Sequence, residues 1–258
     1  GNAQHFRNNI PILGKVGPTY SIDLLGYGYS DKPDPGPWER KNEIYNFENW
    51  ADQVLDFIDE VVGEPSFVVC NSVGGCVGLQ ASVEDKKSLI RGLVLFNISL
   101  RMLHTSKQLP VARPFVTLLQ YVLRETFIGP AFFSSVAKKD AVRSILRQCY
   151  GDPNTVTDEL VDVILKPGLE PNASKVFLDF ISYSGGPLPE DLLPKIKVPV
   201  LIGWGDADPW EPIEKGRMYA DFKCVEDFIA LPGVGHCPQC EAPNLVNPMV
   251  INFVQKHS

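Results

Sequence analysis

Two rhythms of hydrophobic positions run along the chain. Short apolar runs, Thr19 to Leu25, Phe67-Val68-Val69-Cys70, Leu93-Val94-Leu95-Phe96, Val198 to Trp204 and Phe228-Ile229-Ala230-Leu231, predict buried strands. Elsewhere apolar residues recur at helical spacing. Trp50, Val54, Leu55, Ile58 and Val61 predict a helix from Phe47 to Val62, with Asn46 or Glu48 at its start and Gly63 at its end. Phe6, Ile10, Ile12 and Leu13 predict a short helix between Asn2 and Lys15, and another closes the chain from about Leu245 to Lys256. Strands alternating with helices predict a parallel sheet covered on both faces.

The rhythm breaks between Ser99 and Lys195. That stretch carries no run that reads as a strand. Phe115, Leu118, Leu119, Val122 and Leu123 form one helical stripe, Phe127, Phe132, Phe133 and Val136 another, and Leu160, Val163, Ile164 and Leu165 a third. The expected organisation is a core of residues 1–98 and 196–258, interrupted by a helical cap, 99–195.

Composition narrows the function classes. A chain of 258 residues can bury a full core. A net charge of -7 argues against nucleic acid as partner, because phosphates need a basic face. No run of eighteen apolar residues exists, so no membrane span is expected. The run after Leu25 has Gly26 and Gly28 but Asp31 where a dinucleotide loop has its third glycine. Cys237 and Cys240 form a lone C-x-x-C pair with no second pair to complete a zinc site. No metal or organic cofactor is expected.

Candidate chemistry centres on Ser72. A buried strand ends there, two glycines follow, and Cys76 to Ser82 reads as a helix start. Such a turn lifts the serine hydroxyl clear of the backbone, and it requires small residues two before and two after the serine. Gly74 meets that need, whereas Cys70 stands where a glycine is usual. An ordinary turn serine is the bland alternative. Two other loops follow strands, Gly205 to Pro212 and Gly233 to Pro238, carrying Asp206, Asp208 and His236. Ligands bind at the carboxyl ends of strands in open parallel sheets. His236 can take the Ser72 proton, and a buried carboxylate can fix the imidazole tautomer. Asp208 is the expected carboxylate and Asp206 a turn aspartate.

Asp23 to Pro33, the Ser72 turn, Gly205 to Pro212 and Gly235 to Pro243 together resemble the α/β-hydrolase superfamily. Ser30-Asp31-Lys32-Pro33, Trp204 to Trp210 and the long helical insertion resemble its pheophytinase and chlorophyll-dephytylase-like branch. The resemblance implies an α/β-hydrolase fold, the order Ser, Asp, His, and the acid at Asp208. It implies one oxyanion-hole donor at the Val73 N–H and a second on a His-Gly turn just before Gly1. A strand between Thr19–Leu25 and the Ser72 strand is also implied, so an upstream segment is expected. The family's acidic residue at the position of Cys240 is missing. The branch further implies removal of a phytyl chain from a chlorophyll-type pigment in the chloroplast.

The leading functional expectation is a serine esterase acting on a small-molecule hydrophobic ester, for which the Phe- and Leu-rich cap suits an apolar group such as a long prenyl or acyl chain. A hydroxynitrile lyase or C–C hydrolase uses the same three residues. Haloalkane dehalogenases and epoxide hydrolases use an Asp nucleophile, against which Ser72 argues. A different class is a small-molecule receptor on this fold with little turnover.

Overall fold

The computed structural model describes residues 1–258. Four parallel strands, β1 (Ser66–Asn71), β2 (Ile90–Phe96), β3 (Val200–Gly205) and β4 (Val225–Leu231), pair in chain order. One line across the sheet runs Cys70, Leu95, Ile202, Phe228. Side chains alternate across the pleat. Leu93, Leu95, Val200, Ile202 and Trp204 therefore enter one core, and Val94, Phe96 and Leu201 enter the other.

The first face is covered by α1 (Phe47–Asp56) and α2 (Val73–Glu84), through Trp50, Cys76 and Leu79. The Asn46 side chain accepts the Asn49 N–H at 2.7 Å and caps α1. The helix runs on through wider π-type turns over Phe57–Val62 and stops at Gly63, whose φ of +74° a side chain would resist. Between β2 and β3 lie α3 (Arg113–Glu125), α4 (Ile128–Val136), α5 (Lys139–Cys149), α6 (Asp158–Gly168) and α7 (Ala173–Ile181). The last helix, α8 (Pro243–His257), covers the second face with Val246, Val250 and Phe253. No strand forms between β2 and β3, and helices do lie on both faces of the sheet, as the pattern predicts. The inserted helices build a core of their own, in which Leu146, Tyr150, Leu160 and Val161 pack with Cys237 and Cys240. That places the insertion against the loop carrying His236.

Thr19–Leu25 departs from the expectation. It is not a strand, and several of its backbone groups bond to side chains instead. The Leu25 N–H donates to Gln53 Oε1 at 2.8 Å, and the Leu25 carbonyl accepts from Trp50 Nε1 at 2.9 Å. The Asp23 carbonyl accepts from the Ser30 hydroxyl at 2.7 Å. A ladder needs a neighbour in register. Here a cavity of about 780 Å³ separates the segment from β1, with Ser21, Ile22 and Leu24 on one wall and Phe67 and Val69 on the other. β1 is consequently an edge of the sheet.

Candidate active site

β1 ends at Asn71 and α2 begins at Val73, so the whole change of direction falls on Ser72. Ser72 has φ +56° and ψ −123°, a conformation rare for any residue with a side chain. Backbone bonds hold it there: its N–H donates to the Phe96 carbonyl at 3.0 Å, and its own carbonyl accepts from Gly75 at 2.9 Å and Ser99 at 3.1 Å.

The crowding at this turn differs from the expectation. A Cβ at Gly74 would meet nothing within 4 Å, so Gly74 is not the residue under steric pressure. The tight contact is one helical turn on. A Cβ at Gly78 would lie 2.7 Å from Cys70 Sγ. Cys70 thus stands in the usual glycine position because Gly78 makes room for its sulfur.

The structure brings Ser72, Asp208 and His236 together. Ser72 Oγ lies 2.9 Å from His236 Nε2, and His236 Nδ1 lies 2.7 Å from Asp208 Oδ2. Asp208 is buried, and the same Oδ2 accepts from Asn97 Nδ2 at 2.7 Å. Its Oδ1 accepts the N–H groups of Trp210 at 2.8 Å and Glu211 at 3.1 Å. Burial pushes the Asp208 carboxyl upward, but bonds from His236, Asn97 and Glu211 outweigh it and hold the group below the usual carboxylate range. Asp208 is therefore the charged partner that an imidazolium needs.

Asp206 sits elsewhere. Its Oδ1 accepts the Gly233 N–H at 2.7 Å and ties the loop after β3 to the loop after β4. Val73 supplies the first N–H of α2, which helical geometry leaves without an intrahelical acceptor. It directly follows Ser72 at a helix N-terminus, where negative charge is favoured.

The His236 loop is fixed from three sides. Its backbone N–H donates to the Cys149 carbonyl at 2.8 Å, at the end of α5. Its carbonyl accepts from Asn71 Nδ2 at 2.9 Å. The Glu241 carboxylate accepts the N–H groups of Gly235 at 2.7 Å and Gly151 at 3.0 Å. Cys240, where an acidic residue was missing, instead has its sulfur 3.5 Å from Arg7 Nη1. All six cysteines are free thiols, and no cluster of residues suited to a metal forms. Trp210 lies against the imidazole with ring centroids 5.1 Å apart.

Several of these residues escaped the sequence reading. Asn71 and Asn97 end strands and carry no motif. His5 lies near the start of the chain and carries no motif. It is buried in the wall of the cavity that reaches Ser72 and His236, and its Nε2 has no partner. Burial first, and nearby positive groups second, pull its pKa down to about 3. Near Ser72 the cavity is walled by Val73, Ile145, Leu146, Ile164 and Trp210, an apolar lining supplied partly by the inserted helices.

A parallel sheet with a strained serine between strand and helix, and an imidazole and carboxylate on later strand-end loops, defines the α/β-hydrolase class. Residues 4–247 match the Alpha/beta hydrolase family, and the chain belongs to it. It is 25% identical to the chloroplastic pheophytinase of Arabidopsis thaliana over 97% of the chain, and it spans 58% of that protein's length. It is also 25% identical to the uncharacterized hydrolase YugF of Bacillus subtilis, over 98% of the chain and 86% of that protein. Among solved structures, the thermophilic esterase of Thermogutta terrifontis aligns with TM-score 0.73 at 20% identity, covering 100% of the chain and 87% of the esterase. The meta-cleavage product hydrolase of Pseudomonas fluorescens aligns with TM-score 0.73 at 17% identity, covering 99% and 86%.

Proposed function

We propose that the protein is a serine hydrolase that cleaves a carboxylic ester of a hydrophobic substrate through an acyl-enzyme. The observation that carries this reading is the unbroken relay from Ser72 Oγ through His236 to Asp208, with contacts of 2.9 and 2.7 Å. His236 Nε2 takes the Ser72 proton as Oγ attacks the ester carbonyl. The imidazolium is stabilised by the Asp208 carboxylate. The Val73 N–H donates to the developing oxyanion. His236 returns the proton to the leaving alcohol, and then activates the water that releases the acid. Residues 99–195 act as the cap, and their Ile145, Leu146 and Ile164 contribute apolar wall for a long alcohol or acyl chain.

The likeness to pheophytinase makes the phytyl ester of a chlorophyll-type pigment the first substrate to try, with a plastid as its setting. The second reading is C–C bond hydrolysis by the same three residues. It is favoured by 30% identity to a 2-hydroxymuconate semialdehyde hydrolase of Pseudomonas, over 35% of the chain. Incubation with chlorophyll a, pheophytin a, simple acyl esters and a vinylogous diketo acid, with products read by mass, tests these together. Release of phytol or of an alcohol supports the ester reading, and cleavage of the diketo acid alone overturns it. Binding of a pigment without turnover in any incubation points to a receptor.

A further inference from the structure

The helix α3 is amphipathic in the reverse sense. Two of its polar residues, Gln120 and Arg124, face the protein, while Arg113, Thr117 and Glu125 are exposed. Gln120 Nε2 donates to Ser184 Oγ at 2.8 Å, Arg124 Nε donates to the buried Asp179 at 2.8 Å, and Tyr121 packs edge-on against Trp38. Three of its apolar residues face outward, while Val116, Val122 and Leu123 are half-buried. Phe115, Leu118 and Leu119, spaced three and four apart on one face, are 74%, 60% and 59% exposed. Leu109 and Val111 extend the stripe before the helix, and Phe127 (82% exposed) and Ile128 continue it after the helix. None of these side chains lines the cavity beside Ser72. An apolar surface this continuous is unusual for a free face of a protein.

Charge identifies what fits against it. Residues 99–149, which carry the whole stripe, hold eight Lys and Arg against two Asp and Glu; the rest of the chain holds 16 against 29. Of those basic residues Arg113, Lys138 and Arg147 are exposed and free of ion pairs; Arg113 opens α3 and Lys138 follows α4, on either side of Phe115, Leu118 and Leu119 in the chain. An apolar helix face flanked by free cations, on a molecule otherwise strongly acidic, has the character of a segment lying in a lipid–water interface.

We propose that the outer face of α3, with the flanking Leu109, Val111 and Phe127, docks the protein on a bilayer surface containing anionic lipid. Phe115, Leu118 and Leu119 enter the headgroup–acyl boundary, and Arg113 and Lys138 meet lipid phosphates. The acidic remainder of the protein turns toward water, which fixes the orientation. The insertion that walls the Ser72 cavity is then the part nearest the membrane. The docking surface itself stands whether or not the substrate is an ester.

Co-sedimentation with vesicles tests this, using equal parts phosphatidylcholine and phosphatidylglycerol, and phosphatidylcholine alone, at low and high salt. Wild type is expected to pellet with the mixed vesicles at low salt, more weakly with high salt or with phosphatidylcholine alone. The variant Phe115→Ser/Leu118→Ser/Leu119→Ser is expected to lose roughly tenfold or more in partitioning, with an unchanged thermal melt. Leu119→Trp keeps the face apolar and should show a blue-shifted emission with the mixed vesicles, a readout independent of the triple variant's fold. Wild type left in the supernatant, equal pelleting of the triple variant, or an unshifted Leu119→Trp spectrum would overturn the proposal. A wild-type dimer in sedimentation velocity that the triple variant converts to monomer would overturn it too, and would assign the face to a second copy of the chain.

Discussion

Asn97 and His236 share one oxygen. Asn97 Nδ2 and His236 Nδ1 both reach Asp208 Oδ2, each at 2.7 Å, while Asn97 Oδ1 accepts the Gly205 N–H at 2.9 Å. Asn97 has φ +41° at the end of β2, a conformation that Asn tolerates better than most residues. The end of β2 thereby sets the height and rotation of a carboxylate borne by the loop after β3. Asn97→Ala removes both bonds and leaves a buried N–H unmet, so stability should fall by about 2–3 kcal/mol. Turnover should fall roughly tenfold or more at a temperature where the variant is folded. Urea unfolding and ester hydrolysis measured side by side check both.

Cys70 and Gly78 form a second coupled pair. Gly78→Ala pushes a methyl group into Cys70 Sγ, so it should cost about 1–3 kcal/mol despite alanine's better helix propensity. Adding Cys70→Ala removes the obstruction, and the double variant should recover most of that loss. Equal costs for Gly78→Ala with and without Cys70→Ala would show that the two do not meet.

His5 makes stability depend on pH. The buried ring stays neutral down to about pH 3, whereas in the unfolded chain it protonates near 6.5. Between those values the unfolded state holds one more proton, so stability falls as pH drops through this window. The slope from this group approaches about 1.4 kcal/mol per pH unit. His5→Leu should flatten the difference between urea midpoints at pH 7 and pH 5.

Arg124 and Asp179 are paired inside the insertion, with side chains 4% and 0% exposed. Burial drives the Asp179 carboxyl upward, and the Arg124 guanidinium opposes that shift. Arg124→Leu leaves the carboxyl buried alone and should cost about 3–5 kcal/mol, whereas Arg124→Leu/Asp179→Leu should cost much less. Thermal unfolding of the two variants separates the outcomes.

Much of the architecture was legible because its signals are local. The stripe Trp50, Val54, Leu55, Ile58 repeats at helical spacing, and four of the five apolar runs found strand partners. Thr19–Leu25 also reads as a strand yet forms none, because pairing depends on a neighbour that the segment itself does not encode. In α3 the stripe was visible but its direction was not: Gln120 and Arg124 turn inward because Ser184 and Asp179, far along the chain, accept their bonds. At the site, Ser72, Asp208 and His236 were found by loop position and chain order. Asn97 and Asn71 were not, since their bonds to Asp208, Gly205 and His236 span more than a hundred residues; nor was His5, whose role in the cavity wall shows only once the chain is folded. The crowding assigned to Gly74 falls on Gly78, one turn further along α2, which the S-x-G spacing could not foretell.

The central claim is that Ser72 Oγ is the nucleophile. Hydrolysis of a p-nitrophenyl ester by wild type and by Ser72→Ala, with the fold of both checked by circular dichroism, tests it most directly. Ser72→Ala is expected to lose on the order of 10⁴-fold in kcat. A folded Ser72→Ala protein that turns the ester over as fast as wild type would contradict it.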